Sequence, residues 1–303
     1  DMWGEYGFPE IPGLMEAIVN TEVTSPGMPA PWFTVFGNHD VLLNGFVGQD
    51  DSLRTLAIGH TKYWSFPSWV TDQFTGMATD PSPLQRGLDY LRQQFGVVGG
   101  FKRVGSDPAR RLLQGQDFMS AHFENTGGGP GPVGHGFTQS NLDENTTFWT
   151  TDIGPNLRLF GLDTCNRLTG ADGAVPKNQF DWLEAGLQEC VAQDKLAIVL
   201  SHHNSLTLEN TAESPFHPGE PLIHADEFIA MLVKYPNMIA WLNGHTHTNT
   251  IKAHPNADNT GGFWEITTAS CIDYPQQQQV VDICDNRDGT MSIFAIVLDH
   301  ASP

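Results

Sequence analysis

Three short clusters in the 303-residue chain carry side chains that bind cations and move protons. The first is Gly37-Asn38-His39-Asp40, which presents an amide oxygen, an imidazole and a carboxylate after a glycine that permits a sharp turn. The second is the pair His202-His203, and the third is Gly244-His245-Thr246-His247. In an extended backbone, residues i and i+2 point to the same side, so His245 and His247 are expected to approach one cation from one wall. Singly, each cluster also has a structural reading: Gly-Asn-His-Asp as a turn, a histidine after a buried strand as a hydrogen-bonded core residue. Together they supply oxygen and nitrogen donors that suit first-row transition metals such as zinc, iron or manganese.

Each cluster follows an apolar run of strand length. Residues 32–36 (WFTVF) lead into Gly37, Leu196–Leu200 into Ser201-His202, and residues 238–242 into Asn243-Gly244-His245. Between them lie helical patterns: Lys177–Ala192, with Phe180, Trp182, Leu183 and Leu187 as its apolar stripe, and residues 225–235. Strands are further expected at 147–153 and 157–163, joined by a Gly-Pro-Asn turn, and at 262–268, 278–283 and 291–298. A short helix is expected at 10–20, and two more, at 83–95 and 110–123, inside a long irregular stretch. Strand, helix, strand, helix, strand and then an antiparallel run predict a mixed α/β fold with helices outside a mixed sheet. Three strands ending in polar clusters place a ligand site at the carboxyl ends of that sheet.

The chain holds 35 acidic against 15 basic residues, a net charge of −20. Such a surface repels nucleic acid and anionic membranes, so no nucleic-acid partner is expected. An anionic substrate would need local positive charge, which bound metal ions supply. No apolar run reaches the roughly 18–20 residues of a bilayer span, and no membrane span is expected. Cys165, Cys190, Cys271 and Cys284 form no CxxC pair, so no zinc knuckle is expected; free thiols and a single disulfide both fit the spacing.

Gly-Asn-His-Asp, a later strand-terminal histidine and Gly-His-x-His, in that order, resemble the signature of the calcineurin-like metallophosphoesterases, over residues 7 to the end. More narrowly, the chain is similar to a mainly actinobacterial, often exported family of these enzymes. That likeness lies in Glu5-Tyr6-Gly7-Phe8-Pro9, residues 107–123, Val133-Gly134-His135-Gly136-Phe137, Gly161-Leu162-Asp163-Thr164, Gly262-Phe263-Trp264-Glu265 and Tyr274-Pro275-Gln276-Gln277.

The resemblance implies a single domain over 1–303, a four-layer αββα sandwich of two mixed sheets with an insertion at about 42–146. It implies two divalent or trivalent ions of iron, manganese or zinc, a small-molecule phosphate monoester or diester as substrate, and in-line attack by a metal-bound hydroxide. Asn38, His202 and His245 match ligands of the second metal, and His247 a ligand of the first. His39 matches the residue that contacts the phosphoryl oxygen or protonates the leaving group, and Asp40 would hold its imidazole. His203, Arg167 and His135 are further candidates for substrate contact. Export from the cell is expected.

The family pattern opens with Asp-x-His and Gly-Asp-x-x-Asp or Asn, and neither occurs here. Asn38, His202, His245 and His247 are all neutral as ligands, whereas two cations held close together need an anionic bridge. The chain is therefore expected to be incomplete at its N-terminus, to hold one ion weakly or none, and to be close to inactive as it stands. The rival expectation is a non-catalytic relative whose pocket binds a ligand or partner.

Overall fold

The computed structural model describes residues 11–14, 17, 21–22, 24, 27–40, 51–65, 100–124, 130–166, 171–212 and 219–299. Its centre is a six-stranded mixed sheet. The strands are β3 (Trp149–Ile153), β4 (Leu157–Gly161), β6 (Leu196–Leu200), β8 (Met238–Asn243), β10 (Gly262–Thr267) and β9 (Thr250–Pro255), in spatial order β3-β4-β6-β8-β10-β9. The four inner strands β4, β6, β8 and β10 run parallel; the edge strands β3 and β9 are antiparallel to their neighbours. Leu-Ala-Ile-Val-Leu in β6 reads as a continuous apolar run because both faces of a parallel strand are covered.

Shorter elements complete the described residues. They are α1 (Asp51–Ile58), the hairpin of β1 (Thr61–Ser65) and β2 (Gly100–Arg103), α2 (Gly115–Ala121), α3 (Gln139–Glu144), and the pair β5 (Val175–Pro176) and β7 (Leu222–Ile223). Two helices cover one face, α4 (Lys177–Ala192) between β4 and β6 and α5 (Ala225–Leu232) between β6 and β8. Phe180, Leu183, Leu187 and Cys190 of α4 and Phe228, Met231 and Leu232 of α5 pack on Phe160, Val199 and Trp241. Each such side chain, removed from water, contributes about 1.5–3 kcal/mol.

The opposite face carries a second, aromatic cluster of Phe36, Met119, Phe137 and Trp149, with Phe33, Phe118, Leu159 and Leu200 packed on it. Adjacent residues such as Leu159 and Phe160, or Val199 and Leu200, thus face opposite layers, as the two-residue strand period requires. The remaining antiparallel pair, β11 (Gln277–Asp285) with β12 (Met291–Asp299), forms a separate two-stranded hairpin.

Residues 31–37 form no ladder, although the run at 32–36 has strand composition. They are instead held as an irregular extended segment. Thr34 N donates to His135 O at 3.0 Å, and Trp149 Nε1 donates to Thr34 O at 2.8 Å. A short apolar run is equally compatible with burial against side chains, and here the aromatic cluster supplies them. Trp149 fits because Gly136 and Gly161 leave it room: a Cβ on Gly161 would lie 2.2 Å from its indole. Of the expected helix at 110–123 only Gly115–Ala121 is helical, after a 3-10 turn at Pro108–Arg110. The expected helix at 83–95 and most of that at 10–20 lie outside the described residues. The four cysteines are free thiols. Among the described residues no helix is long and apolar enough to cross a membrane.

Candidate metal centre

β6 and β8 are neighbours, and their backbone pairing runs past their carboxyl ends. Ser201 N donates to Leu242 O at 3.1 Å and Gly244 N to His202 O at 2.9 Å, while on the other side of β8 Thr268 N, just past β10, donates to Asn243 O at 2.9 Å. This fixes the His202 loop against the His245 turn. The side chain of Asn204 ties them again, donating from Nδ2 to Gly244 O at 3.2 Å and to Thr246 Oγ1 at 3.0 Å.

Onto this edge the 3-10 turn Asn38–Asp40 brings Asn38. Asn38 Oδ1 lies 2.7 Å from His202 Nε2 and 3.2 Å from His245 Nδ1, and the two nitrogens are 3.0 Å apart. Three donor atoms from three loops thus aim at one point. Gly37 makes the approach possible, since a Cβ there would sit 3.0 Å from His202 Nδ1. Its importance here is clearance for that ring.

Burial, and then the neighbouring His245, His39 and His247, push the His202 pKa down to about 3. Burial also lowers that of His245, with Asp172 partly opposing it. Both rings are therefore neutral near pH 7. The chemistry of the set, one amide oxygen and two imidazole nitrogens with a lone pair to give, fits a first-row transition metal ion. One histidine must be the acceptor and the other the donor for the 3.0 Å nitrogen pair to be a hydrogen bond. A cation accepts lone pairs from all three.

His203 also comes close: the ligand atoms of His202, His203 and His245 lie within 4.8 Å of one another. Its two ring nitrogens have partners of their own. The ring is fully buried, its Nε2–H donates to Ala171 O at 2.7 Å, and Thr164 Oγ1 donates to Nδ1 at 2.7 Å. Both nitrogens of His203 are thus engaged inside the protein.

His245 and His247 are not on an extended strand. β8 ends at Asn243, and the two histidines have φ of 69° and 53°, in the left-handed region. A tight turn, with Thr246 N donating to Gly244 O at 2.8 Å, separates them. His247 accordingly stands outside the group of three, half exposed, its Nε2 3.9 Å from Asp273 Oδ2.

His39 is exposed beside the group. Asp40 was expected to hold the His39 ring; its Oδ2 instead accepts from Gly37 N at 2.8 Å, closing the turn that carries Asn38. The short three-residue spacing favours this local bond over one to the adjacent imidazole. His135 is buried, stacked on Trp32 with ring centroids 3.4 Å apart and its Nδ1 3.1 Å from Trp32 O. It anchors the segment leading to Asn38. Arg167 lies outside the described residues.

A buried network beneath the site escaped the sequence reading. Glu265, in β10, accepts at Oε1 from Ser205 N at 2.7 Å and from Asn243 Nδ2 at 3.1 Å, and its Oε2 lies 2.7 Å from His254 Nε2. Burial raises the Glu265 pKa, but the bonds from His254, Ser205 and Asn243 outweigh it and hold the carboxyl below its ordinary value.

These shifts predict acid lability. A histidine with a depressed pKa binds its proton in the unfolded chain first, so its contribution is complete above 6.5 and shrinks as pH falls. Each of His202, His203 and His245 removes about 1.4 kcal/mol per pH unit within its window. Glu265 acts in the same direction lower down, its contribution present above 4.5 and lost as pH falls through the folded pKa. Urea midpoints measured with chelator present should hold steady above pH 7 and decline from pH 6.5 downward; a flat profile to pH 4.5 would contradict the buried neutral histidines.

No protein-family model matches the chain, and no curated protein sequence matches it. Among solved structures, the crystal structure of a dimetal phosphatase from Danio rerio is similar with a TM-score of 0.32 and 11% identity, over 53% of this chain and 63% of that one. The match spans less than two thirds of that protein, and a likeness of this size bears on neither activity nor site.

Proposed function

We propose that the chain is a metallophosphoesterase domain that hydrolyses small-molecule phosphate esters with the help of bound transition-metal ions. The observation that carries this reading is the convergence of Asn38 Oδ1, His202 Nε2 and His245 Nδ1 within 3.2 Å at the carboxyl ends of adjacent parallel strands. The resemblance of the three motifs to calcineurin-like enzymes supports it. A metal ion there supplies Lewis acidity toward a phosphoryl oxygen and activates water. It also supplies the local positive charge that a chain of net charge −20 needs to receive an anion.

The protein's own groups have distinct tasks. Asn38, His202 and His245 hold the ion. His247 is the donor available to a second one. His39, exposed on the turn beside them, gives a proton to the leaving oxygen, and Asp40 fixes the turn through the Gly37 amide. The segments between residues 42 and 146 shape the choice of ester.

The test is metal content together with hydrolysis of p-nitrophenyl phosphate and bis-p-nitrophenyl phosphate by the full-length protein with manganese, iron or zinc. Turnover is expected with at least one metal and falls about 10²–10⁴-fold in His39→Ala, the usual range for a general acid. Unchanged turnover in that variant would remove the assigned role of His39. Stoichiometric metal without turnover would favour the non-catalytic, ligand-binding reading, and no bound metal at all would sink the proposal.

A further inference from the structure

Asp172 approaches His245 from the side opposite the donor group. Its Oδ1 lies 3.6 Å from His245 Nε2, while His245 Nδ1 faces Asn38 Oδ1 and His202 Nε2. That distance is just outside a direct hydrogen bond, yet the electrostatic preference is plain: a carboxylate attracts a ring N–H and repels a ring lone pair. One imidazole nitrogen is thus turned to an anion and the other to the cation point.

The backbone that presents Asp172 is pinned residue by residue. Ala171 O accepts from His203 Nε2–H at 2.7 Å. Asp172 O accepts from Asn210 Nδ2 at 2.7 Å, Gly173 N donates to Thr207 O at 2.8 Å, and Ala174 N to Thr164 O at 3.1 Å. Gly173 lies so close to the His203 ring that a Cβ would be 2.3 Å from Nδ1. The second histidine of the His202-His203 pair is therefore the post on which this loop is hung.

We propose that Asp172 is a positioning residue: it holds His245 in the Nε2–H tautomer, so that the Nδ1 lone pair points at the site shared with Asn38 and His202. His203 holds Asp172 in place. The role in metal binding rests on the reading of that site as a cation site; the tautomer choice does not. Partners that orient a ligating histidine in this way typically carry 10–100-fold in metal affinity.

Two measurements test it on the full-length protein. Long-range proton–nitrogen correlation spectra of the ¹⁵N-labelled, chelator-treated protein report the tautomer of His245, its signals assigned by their loss in His245→Asn. Wild type is expected to show Nε2–H with an unprotonated Nδ1; Asp172→Asn shifts population to the Nδ1–H form, and Asp172→Glu retains the wild-type form. Competition for Zn²⁺ against a chromophoric chelator should give an affinity about 10–100-fold lower in Asp172→Asn and near wild type in Asp172→Glu. A tautomer indifferent to Asp172→Asn overturns the proposal, as does a Zn²⁺ affinity that this change leaves intact. If the tautomer shifts as expected and wild type itself takes up no Zn²⁺, the cation-site reading fails and the Asp172–His245 coupling stands.

Discussion

His202→Ala lowers the affinity for Zn²⁺ or Mn²⁺ by more than about 100-fold, beyond the range seen when only an orienting partner of a ligand is lost. His202 Nε2 is the atom of the group that lies within 3.0 Å of both other donors, 2.7 Å from Asn38 Oδ1 and 3.0 Å from His245 Nδ1. Taking it away leaves two neutral donors on separate loops, too few to compete with water for a divalent ion. The same variant reports on stability with the opposite sign at low pH. Wild-type His202 has its pKa pushed down to about 3 by burial and the neighbouring imidazoles, so folding excludes a proton that the unfolded chain binds below 6.5. Alanine removes that penalty, and the decline of stability with acid becomes shallower by about 1.4 kcal/mol per pH unit. Competitive metal titration at pH 7.5 and urea unfolding at pH 7.5 and pH 5 measure the two effects. Unaltered metal affinity would mean that the three atoms meet for reasons other than a cation.

The parts of this fold that the sequence reveals are those decided by local pattern. α4 spans Lys177–Ala192 and β6 spans Leu196–Leu200, the bounds expected from a helical stripe and from an unbroken apolar run. β9 was not expected, because Thr-Ile-Lys-Ala-His-Pro has neither alternation nor apolar weight. Its one buried side chain is His254, tolerated inside only because Glu265 on the neighbouring strand receives its N–H. Residues 32–36 show the converse: a strand-like run whose burial comes from Trp149, Phe118 and Phe137 rather than from a ladder.

The candidate site divides in the same way. That Asn38, His202 and His245 lie together follows from their common position past strand or strand-like segments, and their residue types announce the chemistry. What distinguishes His203 from His202 is invisible in a pair of adjacent histidines, since it depends on Thr164 and Ala171 being brought to its ring. The strand period that seemed to join His245 to His247 fails because both residues take positive φ. Asp172 and Glu265 gain their importance only through contacts across the fold, although Glu265 sits in one of the stretches that carry the family resemblance.

Glu265→Ala should be the most damaging single change near the site, costing at least about 3 kcal/mol, since three buried donors lose their acceptor at about 1–3 kcal/mol each. Glu265 is 3% exposed and accepts from three donors: the imidazole of His254, the backbone of Ser205 and the side chain of Asn243. Alanine leaves all three without their acceptor in a water-poor interior, on top of a cavity. The damage reaches the donor group because Ser205 closes the loop that begins at His202, and Asn243 is the last residue of β8 before Gly244-His245. Glu265→Gln separates the causes. Its carbonyl oxygen still accepts from Ser205 and Asn243, and only the bond to His254 is disturbed, so the loss should be about 1 kcal/mol, one ordinary hydrogen bond. Urea denaturation of wild type and both variants at pH 7.5, paired with Zn²⁺ titration, gives the comparison. Equal stability losses in Ala and Gln would show that the negative charge itself, rather than its acceptor count, holds the two loops. A loss below about 1 kcal/mol in Glu265→Ala would mean that the loops carrying His202 and His245 are positioned without it.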